Sequence, residues 1–170
     1  MQNQKQAAEG LRKHGFAYDH DLSTNEAKVF VNRNGVPSIA HRGSKRVSDF
    51  VFDDLGLLVG NKNTRRFNNA TDLTAKVEQK YGKPANQYGY SLGGALAENS
   101  ASSNAKVRTF NKGVGLGDIG KSIGSNQRDF RTSGDLVSAL ASTQNHNNKL
   151  TTINSGNANV LEAHKLNFLE

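Results

Sequence analysis

Five residues, Gly89-Tyr90-Ser91-Leu92-Gly93, constrain this chain more than any others. They spell G-x-S-x-G and run directly into Gly94-Ala95-Leu96-Ala97. This spacing predicts a sharp strand-to-helix turn that lifts a serine hydroxyl clear of its sheet. Glycine is needed at 89 and 93 because a Cβ at either position would hold strand and helix apart. A helix starting behind Ser91 aims its unpaired N–H groups, and the positive end of its dipole, at any oxyanion formed beside the hydroxyl. Alone the motif says little, since a chain with 17 glycines produces it by chance. The rest of the machinery must follow at the right places.

The surrounding pattern alternates strands with helices. Ala70 to Tyr81 reads as a helix, with Leu73, Val77 and Tyr81 on one face, Gly82 as its stop and Pro84 barring continuation. Asn61 to Asn69 before it reads as a polar loop. Asn86 to Tyr90 is the strand feeding the turn, although it is polar for a central parallel strand. Leu92 to Ser102 is a helix with a small-residue face, and Val107 to Phe110 a further strand. Arg128 to Arg131 and Leu150 to Ile153 are strand candidates, and Asn159 caps a terminal helix. Upstream, Lys28 to Val31 and Val36 to Ala40 flank Asn34-Gly35, which predicts a hairpin closed by a type I′ turn. Ser44 caps a helix bearing Val47, Phe50 and Val51, and Leu55 to Val59 reads as a short strand. Residues 1–26 form a short helix over Ala7 to His14 and a linker, leaving 27–170 as one domain. Alternation of this kind implies a mostly parallel sheet covered by helices on both faces.

The net charge is +7, with 22 basic and 15 acidic residues. It favours an anionic partner, a membrane surface or nucleic acid. The basic residues are scattered in small groups with no aromatic stripe between them, so nucleic acid is disfavoured and solvated surface is the plainer reading. There is no cysteine, which excludes disulfides and thiolate chemistry. No histidine or carboxylate cluster has ligand spacing, so no metal or other cofactor is expected. The N-terminus lacks an apolar signal core and no stretch reaches membrane-spanning length, which predicts a soluble chain.

A serine hydroxyl needs a base, and the base needs a group to hold it. In this architecture the partners follow in the order Ser, Asp or Glu, His, each after a later strand. Asp135 sits just after the Arg128 to Arg131 strand and His164 lies late in the chain. Asp118 and Asp129 are rival acids and His146 a rival base. His14, His20 and His41 have no such context and read as structural.

Several segments together carry a resemblance. Ile39-Ala40-His41-Arg42-Gly43-Ser44, followed by Ser48-Asp49-Phe50 and Asp53-Asp54-Leu55, resembles the oxyanion-loop segment of class 3 lipases. Gly89 to Ala97 resembles their G-H-S-L-G-G-A-L-A, differing at Tyr90. Val107 to Phe110 resembles the next strand, Gly134 to Leu140 the acidic segment, and Ala163-His164 the late Ala-His. The resemblance implies an α/β-hydrolase-like fold and a serine esterase or lipase acting on lipid acyl esters, without a cofactor, at an anionic membrane surface. It implies Ser91 as nucleophile, His164 as base, Asp135 as its orienting carboxylate, and the N–H groups of Ser44 and Leu92 as oxyanion hole. Arg42 would brace the Gly43 loop, and the helix from Ser44 would take the lid position. The chain departs from the pattern in its compact triad spacing and in Asn111-Lys112-Gly113, where a proline-containing turn is usual.

Two other readings compete. The same fold without a working triad would be a binding or structural protein. Gly115 to Ser122 also spells G-x-x-x-x-G-K-S, the phosphate-cradling loop of nucleotide-binding proteins. Little chain follows it, and no later apolar strand ends in a magnesium-binding aspartate, so it is expected to be a glycine-rich loop near the active-site rim.

Overall fold

A computed structural model describes residues 2–44, 65–135 and 137–156. The helix expected from Ser44, the strand expected over Leu55 to Val59, the terminal helix from Asn159, and His164 lie outside these residues. The elements are α1 (Gln2–Lys13), β1 (Phe16–Tyr18), β2 (Ala27–Asn32), β3 (Pro37–His41), α2 (Arg65–Tyr81), β4 (Asn86–Tyr90), α3 (Leu92–Ser100), β5 (Val107–Phe110), β6 (Gln127–Thr132) and β7 (Leu150–Ile153). Two 3₁₀ turns, Leu116–Asp118 and Ala139–Thr143, flank β6. The seven strands form one sheet in chain order, β1 to β7. β1, β2 and β3 are antiparallel, and β3 through β7 are parallel. The chain is thus α/β with a mostly parallel sheet.

The period-two alternation of the strands sorts side chains between faces. Ala27, Val29 and Ile39 are buried on one face, against Leu73 and Val77 of α2 and Ala85. Phe67 and Ala70 of α2 meet Leu92, Ala95 and Leu96 of α3 in a second buried cluster. Phe67 explains why α2 begins ahead of the expected Ala70: it extends the apolar stripe of Ala70, Leu73 and Val77 by a turn, through residues that read as polar loop. Gly82, at φ 63°, ends the helix and donates to the Glu78 carbonyl.

The hairpin differs from the expected type I′ turn. Only Gly35 has positive φ. Asn32 organises the turn instead: its carbonyl accepts from Gly35 N–H, and its Oδ1 accepts from the N–H groups of Asn34 and Val36. A side chain that replaces backbone partners in this way removes the need for positive φ at Asn34. The expected linker over Gly15 to Glu26 also contains β1, which pairs along β2 and adds an edge strand.

Asp19 ties that edge to the helical layer. Its carboxylate accepts from the N–H groups of Asp21 and Leu22, from Lys80 Nζ at 2.7 Å and from the Tyr81 hydroxyl at 2.6 Å. Burial would raise its pKa, but the bonds from Lys80, Tyr81 and Leu22 hold it down to about 2. A depressed carboxylate stabilises the fold fully above its ordinary pKa of 3.8, and the contribution is lost as pH falls towards 2. Asp19→Ala is therefore expected to cost roughly 2–3 kcal/mol at pH 7. Urea midpoints for parent and variant should converge as pH falls from 5 to about 2; a constant gap would refute the ionic origin.

Candidate active site

Ser91 stands between β4 and α3 with φ 55° and ψ −126° and makes no side-chain cap to the helix. That backbone region is strained for any residue with a Cβ. The turn is held by its surroundings. Ser91 N–H donates to the Phe110 carbonyl at 3.0 Å, and the Ser91 carbonyl accepts from Gly94 and Gly113. A Cβ at Gly89 would collide with the Gly93 carbonyl, and one at Gly93 with the His41 carbonyl. Strand, turn and helix therefore close only with glycine at both positions.

β4 tolerates its polarity because its buried polar groups find partners. Gln87, fully buried, bonds His41 Nε2 at 2.7 Å through Oε1 and donates to Thr74 Oγ1 at 3.1 Å. Burial lowers the His41 pKa, as does the nearby Arg66 charge, while the Gln87 bond opposes them. The described geometry of His41 is structural. His14 and His20 are exposed, with His20 edge-on to Tyr18.

The chain leaving β3 passes directly against the turn. A Cβ on Gly43 would lie 2.9 Å from the Tyr90 carbonyl oxygen and 3.4 Å from Ser91 Cβ. Ser44 follows, half-buried, while the Arg42 side chain is exposed. Leu92 opens α3, so its N–H has no intrahelical acceptor. Gly43, Ser44, Ser91 and Leu92 are thus brought together at the carboxyl ends of neighbouring parallel strands, the usual ligand end of such sheets.

Asp135 follows β6 and is fully buried. Its Oδ1 and Oδ2 accept from the N–H groups of Val137 and Ser138, both at 3.1 Å. Its charge reaches the end of β4: burial, and then Asp135, raise the Tyr90 pKa. Asn111, at φ 44°, helps set this loop by donating to the Phe130 carbonyl and accepting from Thr132 N–H.

The rival acid and base are found together, in a buried network against α3. Asp129 accepts from Lys112 at 2.7 Å, Thr109 at 2.8 Å and Gln127 at 2.8 Å. His146 Nε2 lies 3.1 Å from Asp129, and its Nδ1 lies 2.8 Å from the Gln144 carbonyl. With both ring nitrogens occupied, His146 is poorly placed to take a proton from Ser91. Asp118 is paired with Lys121 at 3.1 Å.

The nucleotide-loop alternative does not fit the geometry of Gly115 to Ser122. The segment folds on itself, with Asp118 N–H on the Gly115 carbonyl, Lys121 N–H on Asp118 and Gly120 N–H on Thr143. These amides are spent within the protein, Lys121 is paired, and a three-residue 3₁₀ turn replaces the helix whose N-terminus would face a phosphate. Among the described residues no group of three or more His, Asp or Glu could hold a metal ion, and no helix is long and apolar enough to cross a membrane.

A mostly parallel sheet with a strained serine at a glycine-framed strand-to-helix turn is the arrangement of an α/β-hydrolase-like protein. The family model of the Tle-like phospholipase domain matches residues 3–119, more than half of the chain, and the chain belongs to this phospholipase-like family. No curated protein matches the chain, and neither does any solved structure. The matched segment holds Gly43, Ser44 and Ser91, while Asp135 and His164 lie beyond it. The family shown is phospholipase-like, a coarser placement than the class 3 lipases of the sequence resemblance.

Proposed function

We propose that the chain is a serine hydrolase of lipid acyl esters, of phospholipase type and built on the class 3 lipase plan. The observation that carries the reading is Ser91, strained and glycine-framed against Gly43, within a segment matching a phospholipase family. In this reading Ser91 Oγ attacks the ester carbonyl carbon while His164 takes its proton. The N–H groups of Ser44 and Leu92 receive the oxyanion. His164 then protonates the departing alcohol, and water, deprotonated by the same imidazole, releases the acid and restores Ser91. Asp135 orients His164. The excess positive charge suits an anionic phospholipid surface.

Incubation with a fluorophosphonate, followed by peptide mass spectrometry, tests the chemistry. A single adduct is expected on Ser91. Hydrolysis of phosphatidylglycerol vesicles should exceed that of phosphatidylcholine vesicles at low salt, with the difference closing as salt rises. A folded protein that takes no adduct would be a hydrolase fold used for binding.

A further inference from the structure

The peptide of Arg42 is gripped from both sides. Its N–H donates to the Glu26 carbonyl at 2.9 Å, and its carbonyl accepts from Arg66 Nη2 at 2.6 Å. Arg66 opens α2 and its Nε, shielded from solvent, stands 3.9 Å from Glu26 Oε1. The other Glu26 oxygen accepts from Asn69 Nδ2 at 3.2 Å. Glu26 thus holds the Arg42 N–H with its backbone and steers the guanidinium with its side chain.

A guanidinium with its Nε shielded from water is a costly way to hold one surface carbonyl. Its position gives it a purpose. The carbonyl it fixes belongs to the peptide joining Arg42 to Gly43, and fixing that plane limits the directions in which the next N–H groups point. Gly43 packs against Ser91, and Ser44 comes next. We infer that Arg66 is a positioning residue for the oxyanion loop, holding the Arg42–Gly43 peptide so that Ser44 N–H faces the substrate oxygen. The inference rests on the hydrolase reading above.

A cavity of about 370 Å³ beside the pair, lined in part by Glu26, Arg66, Asn69 and Lys76, leaves room for a free guanidinium ion. The test compares the parent with Arg66→Ala, Arg66→Met and Lys76→Ala. Readouts are hydrolysis of p-nitrophenyl butyrate, the rate of phosphonate labelling at Ser91, and circular dichroism. Arg66→Ala is expected to lose about ten- to a hundredfold in kcat with little change in KM, and to label more slowly in parallel. Millimolar guanidinium should restore part of both rates. Lys76→Ala, an exposed cation on the same cavity, should match the parent.

A folded Arg66→Ala with parental kcat, or with a change confined to KM, would overturn the inference. If Arg66→Ala fails to fold, Arg66→Met keeps the apolar stem without a donor, and parental kcat there overturns it equally. A parent that neither labels nor hydrolyses removes the hydrolase reading and this inference with it, and that failure is visible before any variant is compared.

Discussion

Ser91→Gly is expected to hydrolyse lipid esters at least about a thousandfold more slowly than the parent, and yet to unfold at a higher temperature than Ser91→Ala. The two effects come from the same atoms. At φ 55° and ψ −126° a Cβ is strained against its own backbone, at a cost of about 1–3 kcal/mol. Alanine keeps that Cβ, so Ser91→Ala should melt close to the parent while losing the nucleophile. Glycine relieves the strain, offset by roughly 0.5–1 kcal/mol of added freedom in the unfolded chain. A net gain of about 1 kcal/mol would raise the melting temperature by roughly 2–4 °C for a chain of this size. Calorimetry on parent, alanine and glycine forms separates strain from chemistry. A glycine form that melts below the alanine form would mean that the turn stores no strain, and retained hydrolysis would place the reaction elsewhere.

Lys112→Met is expected to cost about 3–5 kcal/mol of stability. Lys112 is 1% exposed and pairs with both Asp129 and Glu98. Burial would raise the Asp129 pKa, but the Lys112 charge and bonds from Lys112, Gln127 and Thr109 bring it below the ordinary value. Methionine fills the space of the lysine stem and leaves Asp129 ionised without its main cation. Adding Asp129→Asn should recover a good part of the loss, because the stranded charge is then gone. Urea denaturation of the two single variants and the double variant measures this coupling. A single-variant loss below about 1 kcal/mol would show that the remaining donors suffice to hold Asp129.

The sequence made the strand-to-helix turn legible because its glycines are imposed by backbone contact, which leaves little choice of residue. The bounds of β4, β5 and β7 were legible too, the last two from short apolar or β-branched runs between turn residues. The Lys112 network was not. Asn111-Lys112-Gly113 is polar in sequence, and all three are buried. The countercharges that make this possible lie 14 and 17 residues away, at Glu98 and Asp129. Pairing at that distance leaves no local pattern to read. Arg66 was hidden for the same reason: its partners are distant in sequence, Glu26 just ahead of β2 and Arg42 just after β3. β1 escaped because three residues are too few to establish an alternation. Motif order singles out Ser91, Asp135 and Ser44 as candidates, whereas the bonds that the Asp135 carboxylate accepts from Val137 and Ser138 required coordinates.

Because strand order in the sheet copies strand order in the chain, the sheet grows from one side only. From β5 onward each strand finds its neighbour about twenty residues back, a short loop to close. On a ribosome, each described strand made after β1 meets an edge that already exists and does not wait for a partner still to be translated. The residues proposed for the site are delivered in the same sequence, the Gly43 loop first, then Ser91, then Asp135. In the proposed reading, a truncated product ending before β6 would display Ser91 without Asp135, a nucleophile assembled but left idle.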